Sequence, residues 1–131
     1  MYRTQNKDMG SGGPACKGRI LVVEDDAFIA LDLQDVLSEA GYDVLGPVAT
    51  VSEAMRLLSE DAPDMALLDY NLGEETSIPV AHKLEELSVP FMFLSGQVSS
   101  VMLGKTATQP QVMSKPFVPG HLVSTLGQLA N

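Results

Sequence analysis

Acids, a hydroxyl and an amine stand at the ends of four otherwise apolar runs. Residues 20–23 lead into Glu24-Asp25-Asp26, residues 65–68 into Asp69, residues 91–94 into Ser95 and residues 111–114 into Lys115. Carboxylates brought together repel one another and require a cation; hard oxygen ligands with room for water suit Mg²⁺. A carboxylate facing that cation can attack a phosphorus centre and become an acyl phosphate. The equatorial oxygens of the transferring group then need neutralising, by the cation, by a Lys ammonium and by a hydroxyl with backbone N–H groups. Asp69, Asp25, Lys115 and Ser95 supply that set. Each residue alone has a plainer reading. Acids at strand ends commonly cap helices or face water, a Ser before Gly makes a turn, and a Lys before Pro lies on the surface. The conjunction at four strand ends carries the inference. His82 and His121 read as ordinary helix-surface residues, and no His/Cys/carboxylate spacing suggests zinc.

The elements that must position these groups alternate between strand and helix patterns, the signature of an α/β chain. Residues 20–23 form a continuous β-branched and aliphatic run, as in a strand buried on both faces. Ile29, Leu33, Val36, Leu37 and Ala40 recur at helical spacing, and Gly41 ends that helix. Val44, Leu45 and Val48 predict a second strand, interrupted by Gly46-Pro47. Thr50 and Glu53 predict a capping box for a helix with Val51, Ala54, Met55 and Leu58 inward. The third strand is 65–68, followed by a loop to Thr76. A helix capped at Ser77, with Pro79 in its first turn, has Val80, Ala81, Leu84 and Leu87 inward. The fourth strand is 91–94 and the fifth 111–114. A last helix begins near Pro119 and carries Leu122, Val123, Leu126 and Leu129. Over 97–110 only a short helix near 99–103 is expected. Five β-α units predict one parallel sheet with helices on both faces and right-handed crossovers. Ligands bind such a sheet at the carboxyl ends of its strands, where the polar groups above converge.

The 131 residues suffice for one domain with a sizeable core. Residues 1–18 read as a flexible tail and 19–131 as the folded domain. The net charge of −9 is uneven. Residues 1–19 hold Arg3, Lys7, Lys17 and Arg19 against Asp8, which leaves the remainder with 16 acidic and 4 basic residues. Such a body repels nucleic acid and anionic membranes. No apolar run reaches the roughly 20 residues of a membrane span, and no secretory signal opens the chain. The single cysteine, Cys16, cannot form an internal disulfide, so a reducing cytoplasm is the simplest setting.

With these residues in view, the chain resembles the response-regulator receiver family. The likeness covers about residues 19–130. It rests on Val22-Val23-Glu24-Asp25-Asp26, Leu67-Leu68-Asp69-Tyr70-Asn71-Leu72-Gly73, Leu94-Ser95-Gly96 and Ser114-Lys115-Pro116-Phe117. The resemblance implies a flavodoxin-like doubly wound sheet of five parallel strands in the order 2-1-3-4-5. It implies Asp69 as phosphoacceptor, Asp25 as a direct Mg²⁺ ligand, Glu24 as a ligand through water, and the main-chain carbonyl of Asn71 as a further ligand. Ser95 would be the switch hydroxyl and Lys115 the phosphate partner, with a cis bond before Pro116. The segment Pro90-Phe91-Met92-Phe93-Leu94-Ser95-Gly96 is similar to the PFxFATGY motif of FAT GUY receivers, from which it departs at Leu94, Ser95 and Gln97. Those are commonly single-domain regulators paired with HWE-type histidine kinases. The implied partners are a sensor histidine kinase or phosphotransfer protein and an unknown downstream protein, with no nucleic acid and no membrane. Output by protein–protein contact, or phosphate buffering, is expected, since no DNA-binding segment follows Asn131.

Two other classes compete. A haloacid-dehalogenase-like phosphatase would need a second Asp two residues after the nucleophile, where this chain has Asn71. A flavodoxin-like electron carrier would need a hydroxyl- and Gly-rich phosphate loop after the first strand, in place of Glu24-Asp25-Asp26. The family's aromatic three positions before the Lys is Val112 here. Val112 is stiff at its single χ angle and cannot swing a ring. Residues 96–110 are therefore the expected carrier of an order–disorder switch.

Overall fold

The structure, a computed structural model, describes residues 17–96 and 110–130. In chain order the elements are β1 (Arg19–Val23), α1 (Ala27–Glu39), β2 (Asp43–Val48), α2 (Val51–Glu60), β3 (Met65–Asp69), β4 (Asn71–Leu72), β5 (Glu75–Thr76), α3 (Ile78–Glu86), β6 (Phe91–Ser95), β7 (Gln111–Ser114) and α4 (Pro119–Leu129). The main sheet is parallel, in the order β2-β1-β3-β6-β7. This is the expected 2-1-3-4-5 order with the five long strands renumbered.

Strand alternation explains the unbroken apolar runs. Ile20, Val22, Met65, Leu67, Met92 and Leu94 face one core with Leu33 and Leu37 of α1 and Leu122 and Leu126 of α4. Leu21, Val23, Ala66, Leu68, Phe91 and Phe93 face the other, with Ala54 and Leu58 of α2 and Val80, Ala81 and Leu84 of α3. Each strand residue meets a helix layer on whichever side it points, so no polar alternation survives in the sequence.

Local signals hold at most ends. Asp26 caps α1, its Oδ1 accepting from the N–H groups of Phe28 (2.9 Å) and Ile29 (3.1 Å). Thr50 Oγ1 accepts from Glu53 N–H (3.1 Å), while Glu53 Oε1 accepts from Ala49 N–H (3.2 Å), one residue before the position a capping box uses.

Four expectations need correction. Gly46-Pro47 does not interrupt β2: the strand runs through, with a register irregularity opposite Leu21–Val23 and a cis peptide bond at Gly46-Pro47. Gly46 is required there, because its φ is +99° and a Cβ would meet Val48 N at 2.8 Å. Ser77 precedes α3 but does not cap it; its buried Oγ makes no hydrogen bond, and Ile78 N–H points instead to Thr76 Oγ1 at 3.5 Å. Leu87 lies past the end of α3 and is exposed, whereas Ile78 takes an inward place. The loop to Thr76 contains the antiparallel β4–β5 pair. The short helix expected near 99–103 and nearly all of the 96–110 segment lie outside the described residues, as does most of the expected 1–18 tail.

Candidate functional site

Three strand ends bring opposite charges together in a nearly dry setting. Glu24 follows β1 and is 2% exposed; Asp69 ends β3 and is 6% exposed. Lys115 follows β7, its amide N–H bonded to the Ser95 carbonyl at 2.9 Å. Its ammonium lies 2.8 Å from Glu24 Oε1 and 3.2 Å from Asp69 Oδ1. The Glu24 contact is one of charge rather than an aligned hydrogen bond, so Oε1 remains a buried oxygen with no directed donor. The other oxygen, Oε2, accepts from Asp26 N–H at 3.2 Å. Ser95 is buried at the end of β6, beside Ser114 of β7 in the sheet register.

One cation is too few for these charges. Burial raises the Asp69 pKa most, and the neighbouring Glu24 carboxylate adds to it against the pull of Lys115, so that Asp69 stands at about 8. Burial draws the Lys115 ammonium down, but Glu24 and Asp69 outweigh it and the net shift is upward. Oxygens of Glu24, Asp25 and Asp69 all lie within 4.8 Å of one another. An all-oxygen donor set with one exposed member, Asp25, and one undirected buried oxygen fits a hard divalent cation that keeps some of its water.

The sequence placed Asp69, Glu24, Asp25, Ser95 and Lys115 at one sheet edge, and the structure brings them there. Asn71 opens β4, paired with Thr76, two residues from Asp69. Asp26 does not join the cluster, because its carboxylate is committed to capping α1. Lys115-Pro116 is cis, as the resemblance implied. Sequence reasoning missed the direct approach of Lys115 to Glu24; the nearness of the two strand ends was legible, but the side-chain geometry was not.

Beside Lys115 a groove of about 590 Å³ runs between α1 and the β7–α4 loop, lined by Ile29, Val36, Pro116 and Phe117 and edged by Asp32 and Asp35. Phe28 (82%), Leu31 (58%) and Val118 (64%) stand exposed on the elements that form it. Among the described residues no helix is long and apolar enough to cross a membrane.

Comparison with known proteins agrees with this geometry. The response regulator receiver domain family matches residues 20–127. Chemotaxis protein CheY of Thermotoga maritima is 27% identical over 86% of this chain and 97% of its own length. The phyllosphere-induced regulator PhyR of Methylorubrum extorquens is 29% identical over 83% of this chain but only 42% of its own. The chain thus spans less than half of PhyR and nearly all of CheY. The solution structure of SdrG from Sphingomonas melonis Fr1 superposes with a TM-score of 0.75 at 35% identity, covering 86% of this chain and 96% of that one. A parallel five-stranded sheet with buried acids and a lysine at its carboxyl edge, matched along nearly its whole folded length, makes this chain a member of the response regulator receiver domain family of two-component systems.

Proposed function

We propose that the domain accepts a phosphoryl group from a phosphohistidine onto Asp69 and signals by protein–protein contact. The observation that carries this is the contact between Lys115 and two buried carboxylates, which leaves Asp69 at the mouth of an oxygen-rich cluster. Glu24 (through water), Asp25, Asp69 and the Asn71 carbonyl would hold Mg²⁺, which when bound supplies positive charge to a phosphoryl oxygen. Asp69 presents the attacking oxygen: its O–P bond forms as the donor's N–P bond breaks, and the imidazole leaves with a proton from solvent. Lys115 offers its ammonium to a second phosphoryl oxygen, and Ser95 its hydroxyl to the third. Hydrolysis of the acyl phosphate resets the domain.

The donor would approach over α1 and the β7–α4 loop. Phe28, Leu31 and Val118 give it apolar footing, and Asp32 and Asp35 favour a partner with basic residues beside its histidine. The PFxFATGY-like segment supports a kinase of the HWE type. In a test with acetyl phosphate and Mg²⁺, wild type takes up one phosphoryl group and Asp69→Asn none; stoichiometric labelling of the variant at another residue would refute the assignment.

A further inference from the structure

The β4–β5 hairpin is too short to hold itself. It pairs Asn71 with Thr76 and Leu72 with Glu75, and two-residue strands are unstable alone. Gly73, with φ +68°, turns it tightly. The β4 strand is anchored by Leu72, which is buried in the core under α2 and α3. The β5 strand has no such anchor, for Glu75 is exposed and Thr76 only partly buried. Just past β5 the buried Ser77 closes the base of the hairpin, its N–H donating to the Tyr70 carbonyl at 2.9 Å, while a side chain ties β5 itself to α2: Glu75 Oε2 accepts from the Val51 N–H at 3.2 Å, across 24 residues of chain. Val51 is the first residue of α2, so its N–H has no partner within the helix and lies at the positive end of the dipole. A carboxylate suits that place.

This bond completes a ring around the acid cluster. Glu24 N–H donates to the Val48 carbonyl (2.9 Å), joining the ends of β1 and β2 just before α2. Tyr70 N–H donates to the Leu94 carbonyl (2.9 Å) and Lys115 N–H to the Ser95 carbonyl (2.9 Å), joining the ends of β3, β6 and β7. The gap between the start of α2 and the hairpin is spanned by Glu75.

We propose that Glu75 is a positioning residue: by bonding the first amide of α2 it fixes the β4–β5 hairpin, and with it the Asn71 main-chain carbonyl, for divalent-cation binding. The inference rests on the proposed reading of the Glu24, Asp25, Asp69 and Asn71 oxygens as the cation's ligands. Mg²⁺ titrations followed by amide NMR shifts, with melting temperatures measured in parallel, test it. Glu75→Ala raises the Mg²⁺ midpoint about 5- to 10-fold. Glu75→Gln, which keeps an acceptor oxygen, stays within about 2-fold of wild type. Thr50→Ala, which weakens the same helix end without touching the hairpin, lowers the melting temperature and leaves the midpoint in place. Asp25→Asn, run alongside, loses Mg²⁺ binding. A wild-type midpoint in Glu75→Ala, with binding lost in Asp25→Asn, would overturn the role of Glu75 and leave the cation site standing. An equal rise in Thr50→Ala would overturn it too, since loosening of α2 would then suffice. Unchanged binding in Asp25→Asn would remove the cation site itself and the inference with it.

Discussion

Two acid–base clusters lie at opposite ends of the same sheet, and they behave in opposite ways. At the carboxyl edge, Lys115 contacts the buried Glu24 and Asp69. At the amino edge, the Arg19 guanidinium pairs with Asp61 and the Arg19 amide N–H donates to Asp64 Oδ2 at 2.8 Å. The hydrogen bond from Arg19, and then its charge, hold the exposed Asp61 carboxyl below its usual range. Asp69 also has a cation beside it, the Lys115 ammonium at 3.2 Å, yet its pKa goes up. Water decides the sign. The exposed pair keeps its hydration and feels chiefly attraction, whereas the buried carboxylates lose theirs and repel each other across a single ammonium. The amino edge is therefore satisfied as it stands, whereas the carboxyl edge gathers more acid than its one ammonium offsets.

The largest way to break this contrast is to remove the cation at the buried edge. Lys115→Ala leaves Glu24 and Asp69 without their ammonium and should destabilise the Mg²⁺-free protein by about 1–3 kcal/mol. Mg²⁺ should restore more of the lost melting temperature than NaCl at equal ionic strength; identical recovery by both salts would show that screening alone is at work. Phosphorylation of this variant should couple poorly to the shift pattern of the rest of the domain.

Removing the acid instead should stabilise. Asp69 binds its proton up to about pH 8 in the folded chain, against a reference value of 3.8. Between those values the folded state holds more protons than the unfolded one, so metal-free stability from this group falls as pH rises. Asp69→Asn should match wild type near pH 4 and exceed it increasingly toward pH 8, by about 1–2 kcal/mol, or several degrees in melting temperature. A constant difference between the two proteins across that range would show that Asp69 is ionised throughout.

The smallest effect belongs to the exposed edge. Asp61 is held down, so its contribution is present above the unfolded pKa and lost as pH falls through the lower folded value. Being exposed, it should contribute little: Asp61→Asn should leave the melting temperature essentially unchanged. A loss comparable to that of Lys115→Ala would mean that exposure does not set the ranking.

Much of the fold was readable because parallel strands buried on both faces leave unbroken apolar runs, and each run stops where the sheet meets water. The residues at those stops, Glu24, Asp69, Ser95 and Lys115, were legible as a group for the same reason. Elements without a repeating pattern were not. The β4–β5 pair has two residues per strand, too few to show alternation, and β2 passes through Gly46-Pro47 because that glycine accepts a φ no side chain tolerates there. Ser77 sits at a capping position by type, but its hydroxyl is buried without a partner.

The sequence by itself determined the five strands of the main sheet and the chemical set at their ends, which follow from local composition and period. Only the tertiary structure decided which of three consecutive acids does what. Glu24 turns into the interior against Lys115, Asp25 stays exposed beside the cluster, and Asp26 turns to cap α1. Three neighbouring carboxylates are chemically near-equivalent in a chain. They become distinct when the helix that follows needs a cap and a lysine 91 positions later arrives beside only one of them, because burial and distance set the energy of a charge.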